Sequence, residues 1–116
     1  MLAEITCFVN WVHRRNPSSR TWKDYQYDLN LFQSVVGDKP IQEIDIHDID
    51  QFINFQLSRG YKPTTINRRL SSVLSLFTFL SDEILDLVCP VLPHRHHLRE
   101  PQRLPKPVTQ EILKLF

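Results

Sequence analysis

The sequence predicts an all-α fold, a bundle of four main helices followed by an extended, proline-rich, basic linker. Three observations lead there. Apolar residues recur at steps of three and four in four separate stretches, the period of a helix with one buried face. Gly37 and Gly60 each follow such a stretch, and period-two alternation is scarce, which argues against a sheet. Pro90, Pro93, Pro101, Pro105 and Pro107 crowd the end of the chain and break any regular element there.

The first helix is predicted from about Leu2 to Arg14, on Leu2, Ile5, Phe8, Val9 and Val12, with Arg14 and Arg15 suited to the carboxyl end of its dipole. Asn16-Pro17-Ser18-Ser19 ends it in a turn, and Trp11 is expected to cover the edge of the core. A second helix begins near Thr21, with Trp22, Tyr25, Leu29, Phe32 and Val36 on one side, and stops at Gly37. Asp45 with Asp48 has the spacing of a capping box, and opens a third helix over about Ile46 to Ser58 that buries Ile49, Phe52, Ile53 and Leu57. Its outer face, with Asp48, Asp50, Gln51 and Asn54, is acidic and unsuited to DNA; His47 is expected to be exposed. The fourth helix runs from Pro63 to about Ser81, with Ile66, Leu70, Val73, Leu74, Phe77 and Leu80 as its stripe and Pro63 and Thr64 as its start signal. Ile84 to Val88 reads as a short helix or turn, stopped by Cys89-Pro90.

The 116 residues, 41% hydrophobic and 23% charged, fit one globular domain with a modest core. The formal net charge is +1, but it is unevenly spread: residues 1–58 carry a net −3 and residues 59–106 a net +4, so the second half is the better face for a polyanion. Cys7 and Cys89 lack Cys-x-x-Cys spacing, which favours reduced thiols over a disulfide framework or a zinc cluster. With no basic segment leading into an apolar core at the N-terminus and no apolar run near the ~20 residues that span a bilayer, the expectation is a cytoplasmic protein.

Two polar faces carry cations. Opposite the stripe of the second helix stand Arg20, Lys23, Tyr27, Asn30 and Ser34, with Asp24 and Asp28 at the edge, where they would repel phosphate. Opposite the stripe of the fourth stands Arg68, with Thr64, Ser71, Ser72 and Ser75 around it and Thr65 and Arg69 on a flank. Arginines and hydroxyls are groups that grip DNA backbone oxygens, and a helix fits the major groove; a solvated surface is the plainer reading of either face alone.

The order of these pieces resembles the N-terminal core-binding domain of the tyrosine recombinases, the phage-integrase family. Thr21-Trp22-x-x-Tyr25-x-x-Asp28-Leu29-x-x-Phe32 looks like that domain's second helix, Ile44 to Ile53 like its third, and the run from Gly60 to Leu80 like its fourth. Leu104-Pro105-Lys106-Pro107-Val108-Thr109-x-Glu111 resembles the junction with the catalytic domain. The resemblance implies a SAM-like bundle over 1–89, an interdomain linker over 90–106 and the start of a truncated catalytic domain over 107–116. It also implies double-stranded DNA as partner, with a homo-oligomer on DNA in the full-length protein. The expected DNA-binding residues are Arg20, Lys23, Tyr27, Asn30, Lys62, Thr64, Thr65, Asn67, Arg68, Arg69 and Ser72, with Arg95, Arg99 and Arg103 from the linker.

The family's chemistry is attack by a tyrosine on a phosphodiester among preorganised cations. No residue of this chain is assigned to that chemistry: Tyr25, Tyr27 and Tyr61 belong to the bundle, and His96-His97-Leu98-Arg99 lies between prolines with no tyrosine after it. His94, His96 and His97 lack a further ligand at metal-binding spacing and read as a partly solvated basic segment that gains charge near pH 6; no metal or cofactor is expected. The expectation is therefore a non-catalytic DNA-binding module. The competing reading, from another class, is a helical module for self-association.

Overall fold

The computed structural model describes residues 1–99; Arg103 and the proposed junction at 107–116 lie outside the described residues. Every regular element among the described residues is helical, so the all-α class holds. The elements are α1 (Leu2–Arg15), α2 (Thr21–Val36), α3 (Ile46–Ser58), α4 (Pro63–Leu80) and α5 (Pro93–His96), with a 3-10 turn at Ile41–Glu43. None of the helices is long and apolar enough to cross a membrane.

Local chemistry sets the boundaries. Ser19 Oγ accepts from the Thr21 amide at the start of α2 (3.1 Å). At α3, Asp45 accepts from the amides of His47 and Asp48 while Asp48 accepts from the Asp45 amide (3.0 Å), a full capping box. Gly60, at φ +81°, ends α3 in a Schellman turn: the Tyr61 amide reaches the Gln56 carbonyl and the Gly60 amide the Leu57 carbonyl, both at 3.1 Å. This turn fixes where Tyr61 stands. α4 departs from expectation at its start, because Lys62 is the N-cap residue and no side chain caps it. Pro63 sits at the first turn, where its missing N–H costs nothing, and Thr64 makes no cap.

Phe8, Phe32, Phe52 and Phe77, one from each long helix, form the centre of the core. Phe32 and Phe52 meet edge to face with centroids 5.1 Å apart, and each such fully buried ring contributes about 1.5–3 kcal/mol. Trp11 does cover the core's edge, against Phe8 and Phe79.

The buried faces of α3 and α4 differ from the predicted stripes. Leu57 (48% exposed) and Leu74 (37%) face outward, while Gln56 and Leu76 are fully buried. Asp48, expected on the acidic outer face, is buried and pairs with Lys39 at 2.8 Å. On α4 the buried set includes Asn67, Arg69 and Ser72 beside the apolar residues, because the helix is covered on two sides. α2 lies on one flank; the chain after the bundle lies on the other.

That second cover corrects the extended linker. Residues 90–98 fold back: Val91 and His96 are buried, Leu98 is half-buried, and Pro93–His96 forms a single helical turn. Asn67 clamps this strap, its Nδ2 donating to the Leu98 carbonyl and its Oδ1 accepting from the Leu98 amide, both at 2.8 Å. His96, expected to be partly solvated, is fully buried; its Nδ1 accepts from the Leu92 amide (2.9 Å) and its Nε2 lies 3.0 Å from Asp50 Oδ1. Arg95 grips the same Asp50 carboxylate with two donors. Replacing Asn67 with Ala removes both bonds to Leu98 and exposes that backbone. It is expected to cost about 1–3 kcal/mol and to speed hydrogen exchange at the Leu98 amide selectively; unchanged exchange there would refute the clamp.

Asp50 gives the strap a pH dependence. The hydrogen bond from Arg95 holds its carboxyl below the usual value of 3.8, against opposing burial. A depressed carboxylate stabilises the fold fully above its unfolded value and loses that contribution as pH falls through its folded one. The Val91 and Leu98 methyl resonances are therefore expected to hold constant down to about pH 4 and to shift toward free-chain positions below it. Loosening between pH 8 and 5 instead would assign the transition to another group.

Candidate nucleic-acid interface

Arg68 and Ser72 of α4 meet Asp28 of α2 along the seam between the two helices. On α4, Thr64, Arg68, Ser71, Ser75 and Thr78 recur at steps of three and four, and all but the half-buried Ser75 are exposed. They form a ridge of four hydroxyls around one guanidinium. Arg20, just before α2, and Lys23, Tyr27 and Asn30 on it are exposed, with Lys23 Nζ over the Trp22 ring at 5.5 Å. Lys62, at the foot of α4, is exposed as well.

The acid expected to weaken this face is inside it. Asp28 is 1% exposed, and its Oδ2 accepts from Arg68 Nη1 (2.9 Å) and Ser72 Oγ (2.8 Å). Its Oδ1 faces Arg69 Nε at 3.7 Å, an ionic contact without a hydrogen bond. One carboxylate thus stands between two guanidiniums, so the charge of Asp28 is more than matched by its own partners. Asp24 remains exposed beside it and lines the same notch as Arg68 and Ser71.

Adjacent arginines have opposite fates. Arg68 keeps 52% of its side chain exposed, whereas Arg69 keeps 4%. Arg69 Nη1 donates to Gln56 Oε1 at 2.9 Å, and the guanidinium lies between the rings of Tyr61 (4.3 Å) and Tyr27 (5.6 Å). Gln56 is itself buried, so the Schellman turn that seats Tyr61 and the amide that holds Arg69 belong to one residue's backbone and side chain. Such a cation is a structural part of the seam, its desolvation offset by the buried hydrogen bond to Gln56 and the two aromatic rings.

Of the residues predicted for DNA, the structure therefore leaves Arg20, Lys23, Tyr27, Asn30, Lys62, Thr64 and Arg68 on the surface, with Thr65 half-buried. Asn67, Arg69 and Ser72 are corrected from surface to interior, spent on the strap, on Gln56 and on Asp28 respectively. Arg95 is tied to Asp50 on α3, and Arg99 ends the described segment, exposed. Ser71 and Ser75, already on the predicted polar face, complete the ridge with Thr78, which one further step of three from Ser75 finds. Among the described residues no group of His, Cys, Asp and Glu could hold a metal ion, and Cys7 and Cys89 are free thiols.

Residues 7–83 match the family described as phage integrase, N-terminal SAM-like domain. A tyrosine recombinase of Agathobacter rectalis is 28% identical over 97 residues, covering 84% of this chain and 31% of that protein. Tyrosine recombinase XerD of Haemophilus influenzae is 31% identical over 121 residues, covering 95% of this chain and 38% of its own length. Tyrosine recombinase XerC of Listeria innocua is 28% identical over 103 residues, covering 85% and 34%. The chain spans about a third of the length of these curated relatives. No solved structure matches it. The all-helical bundle and a family match over most of its length agree, and the chain belongs to the phage integrase N-terminal SAM-like domain family.

Proposed function

We propose that this chain is the DNA-binding, non-catalytic module of a site-specific tyrosine recombinase, holding one side of a recombination site while a catalytic domain beyond it breaks and rejoins the strands. One observation carries the reading: Arg68 stands on the α2–α4 seam with a ridge of hydroxyls, Arg20 and Lys23 are exposed at the start of α2, and the central acid, Asp28, is buried under its own arginines. Guanidinium and ammonium donors are what phosphate oxygens need, and α4 is the element whose width suits a major groove. Of the ridge hydroxyls, Ser71 and Thr78 donate to the Asn67 and Leu74 carbonyls until a phosphate competes for them. Phosphate contacts along the seam give register and affinity; sequence discrimination falls to side chains that reach base edges. A homo-oligomer on DNA and a place in the cytoplasm belong to the same proposal.

Fluorescence anisotropy of the chain with a labelled mixed-sequence duplex tests it. With three or four seam cations on phosphates, the log of the association constant is expected to fall with log salt at a slope of about −3 to −4. Absence of binding at low salt would reject the proposal. Self-association has one observation on its side, the exposed Leu85 (90%) and Val88 (77%) in the turn after α4. Sedimentation at rising protein concentration would reveal it.

A further inference from the structure

We propose, resting on the reading of the α2–α4 seam as a DNA face, that Asp28 is a positioning residue that holds Arg68 in one orientation for a backbone phosphate.

The carboxylate has little freedom of its own. It is 1% exposed, Ser72 Oγ donates to Oδ2 at 2.8 Å, and Arg69 stands 3.7 Å from Oδ1. Arg69 is in turn pinned by Gln56 and stacked against Tyr61. Asp28 is therefore fixed to α4 through two residues other than Arg68. The Arg68 Nη1 bond to Oδ2, at 2.9 Å, adds a half-exposed guanidinium to this rigid base.

A guanidinium is planar and carries five N–H donors in a fixed fork. Once Nη1 is anchored on a buried oxygen, the plane is set and the remaining donors keep a constant relation to the axis of α4. A long surface side chain otherwise loses its rotamer freedom on binding, and prior anchoring removes about three- to tenfold of that penalty in affinity. The arrangement has an electrostatic cost, because an anion sits next to a face for a polyanion. Positioning and charge therefore predict opposite signs when Asp28 is neutralised, which makes the role testable.

The test is a double-mutant cycle on the 116-residue chain with a fluorescein-labelled mixed-sequence duplex, at a salt concentration where wild type binds. Asp28→Asn, which keeps shape and removes charge, is expected to weaken binding about three- to tenfold. In an Arg68→Ala background the same change is expected to have no such effect, since the group it positions is gone. Tighter or equal binding by Asp28→Asn would overturn the proposal. So would an equal loss with and without Arg68, the signature of a purely structural residue. If Arg68→Ala itself leaves binding unchanged, or wild type does not bind, the DNA reading of the seam falls and takes this proposal with it. A loss for Arg68→Ala combined with a gain for Asp28→Asn rejects only the positioning role. Should circular dichroism show Asp28→Asn unfolded, Ser72→Ala carries the test. It removes one donor from the same oxygen and leaves both charges. A loss of about two- to threefold that disappears with Arg68→Ala supports positioning, and unchanged binding overturns it.

Discussion

Arg69→Ala is expected to destabilise the bundle by about 3 kcal/mol, the cost of breaking a buried pair and leaving its partners unmatched. Its loss strands Gln56 Oε1, removes the cation that faces Asp28 Oδ1 and opens a gap between Tyr27 and Tyr61. For a domain of this size that corresponds to a fall in Tm of about 12–24 °C, read by circular dichroism. The neighbouring Arg68→Ala, on a side chain 52% exposed, is expected to cost about 1 kcal/mol or less. Equal costs for the two would contradict the division between an interior and a surface arginine. The contrast also governs how the DNA face is probed. Reversing the charge of both arginines together would confound unfolding with lost binding, because Arg69 has no room for a carboxylate beside Asp28.

The second large effect follows from the surface cations alone. Arg20→Gln, Lys23→Gln and Arg68→Gln together leave Arg69 and the core intact, and are expected to lower duplex affinity by about two orders of magnitude at 0.1 M salt. The salt slope is expected to flatten by about 2.7, at 0.9 for each phosphate no longer neutralised. Anisotropy titrations of wild type and triple variant across a salt series read both quantities. A variant that binds as wild type does, with the same slope, would remove the α2–α4 seam from the interface.

Much of this architecture was legible in the chain. Periodicity located all four long helices, and Asp45, Asp48, Pro63 and Gly60 marked boundaries through chemistry that acts within a few residues. What the helical wheel missed was long-range. It assigns one buried face per helix, yet α4 is covered on both flanks, so Asn67 and Ser72 turned inward toward partners 31 and 44 residues away. Asp28 read as a repulsive edge charge because its two arginines lie 40 and 41 positions on, and no local pattern announces them. The strap was hidden for a related reason. Prolines exclude a long helix but not a docked irregular segment, and Val91, His96 and Leu98 are too sparse to show a period. Arg68, like Arg20 and Lys23, stayed on the surface where the wheel put it.

An NMR titration of the isotope-labelled chain with duplex DNA locates the DNA face residue by residue. Amide shifts concentrated at Arg20–Tyr27 of α2 and at Thr64, Arg68 and Ser71 of α4 are the predicted result. Shifts gathered on the acidic surface of α3 or on the Leu85–Val88 turn, with the seam silent, would contradict it.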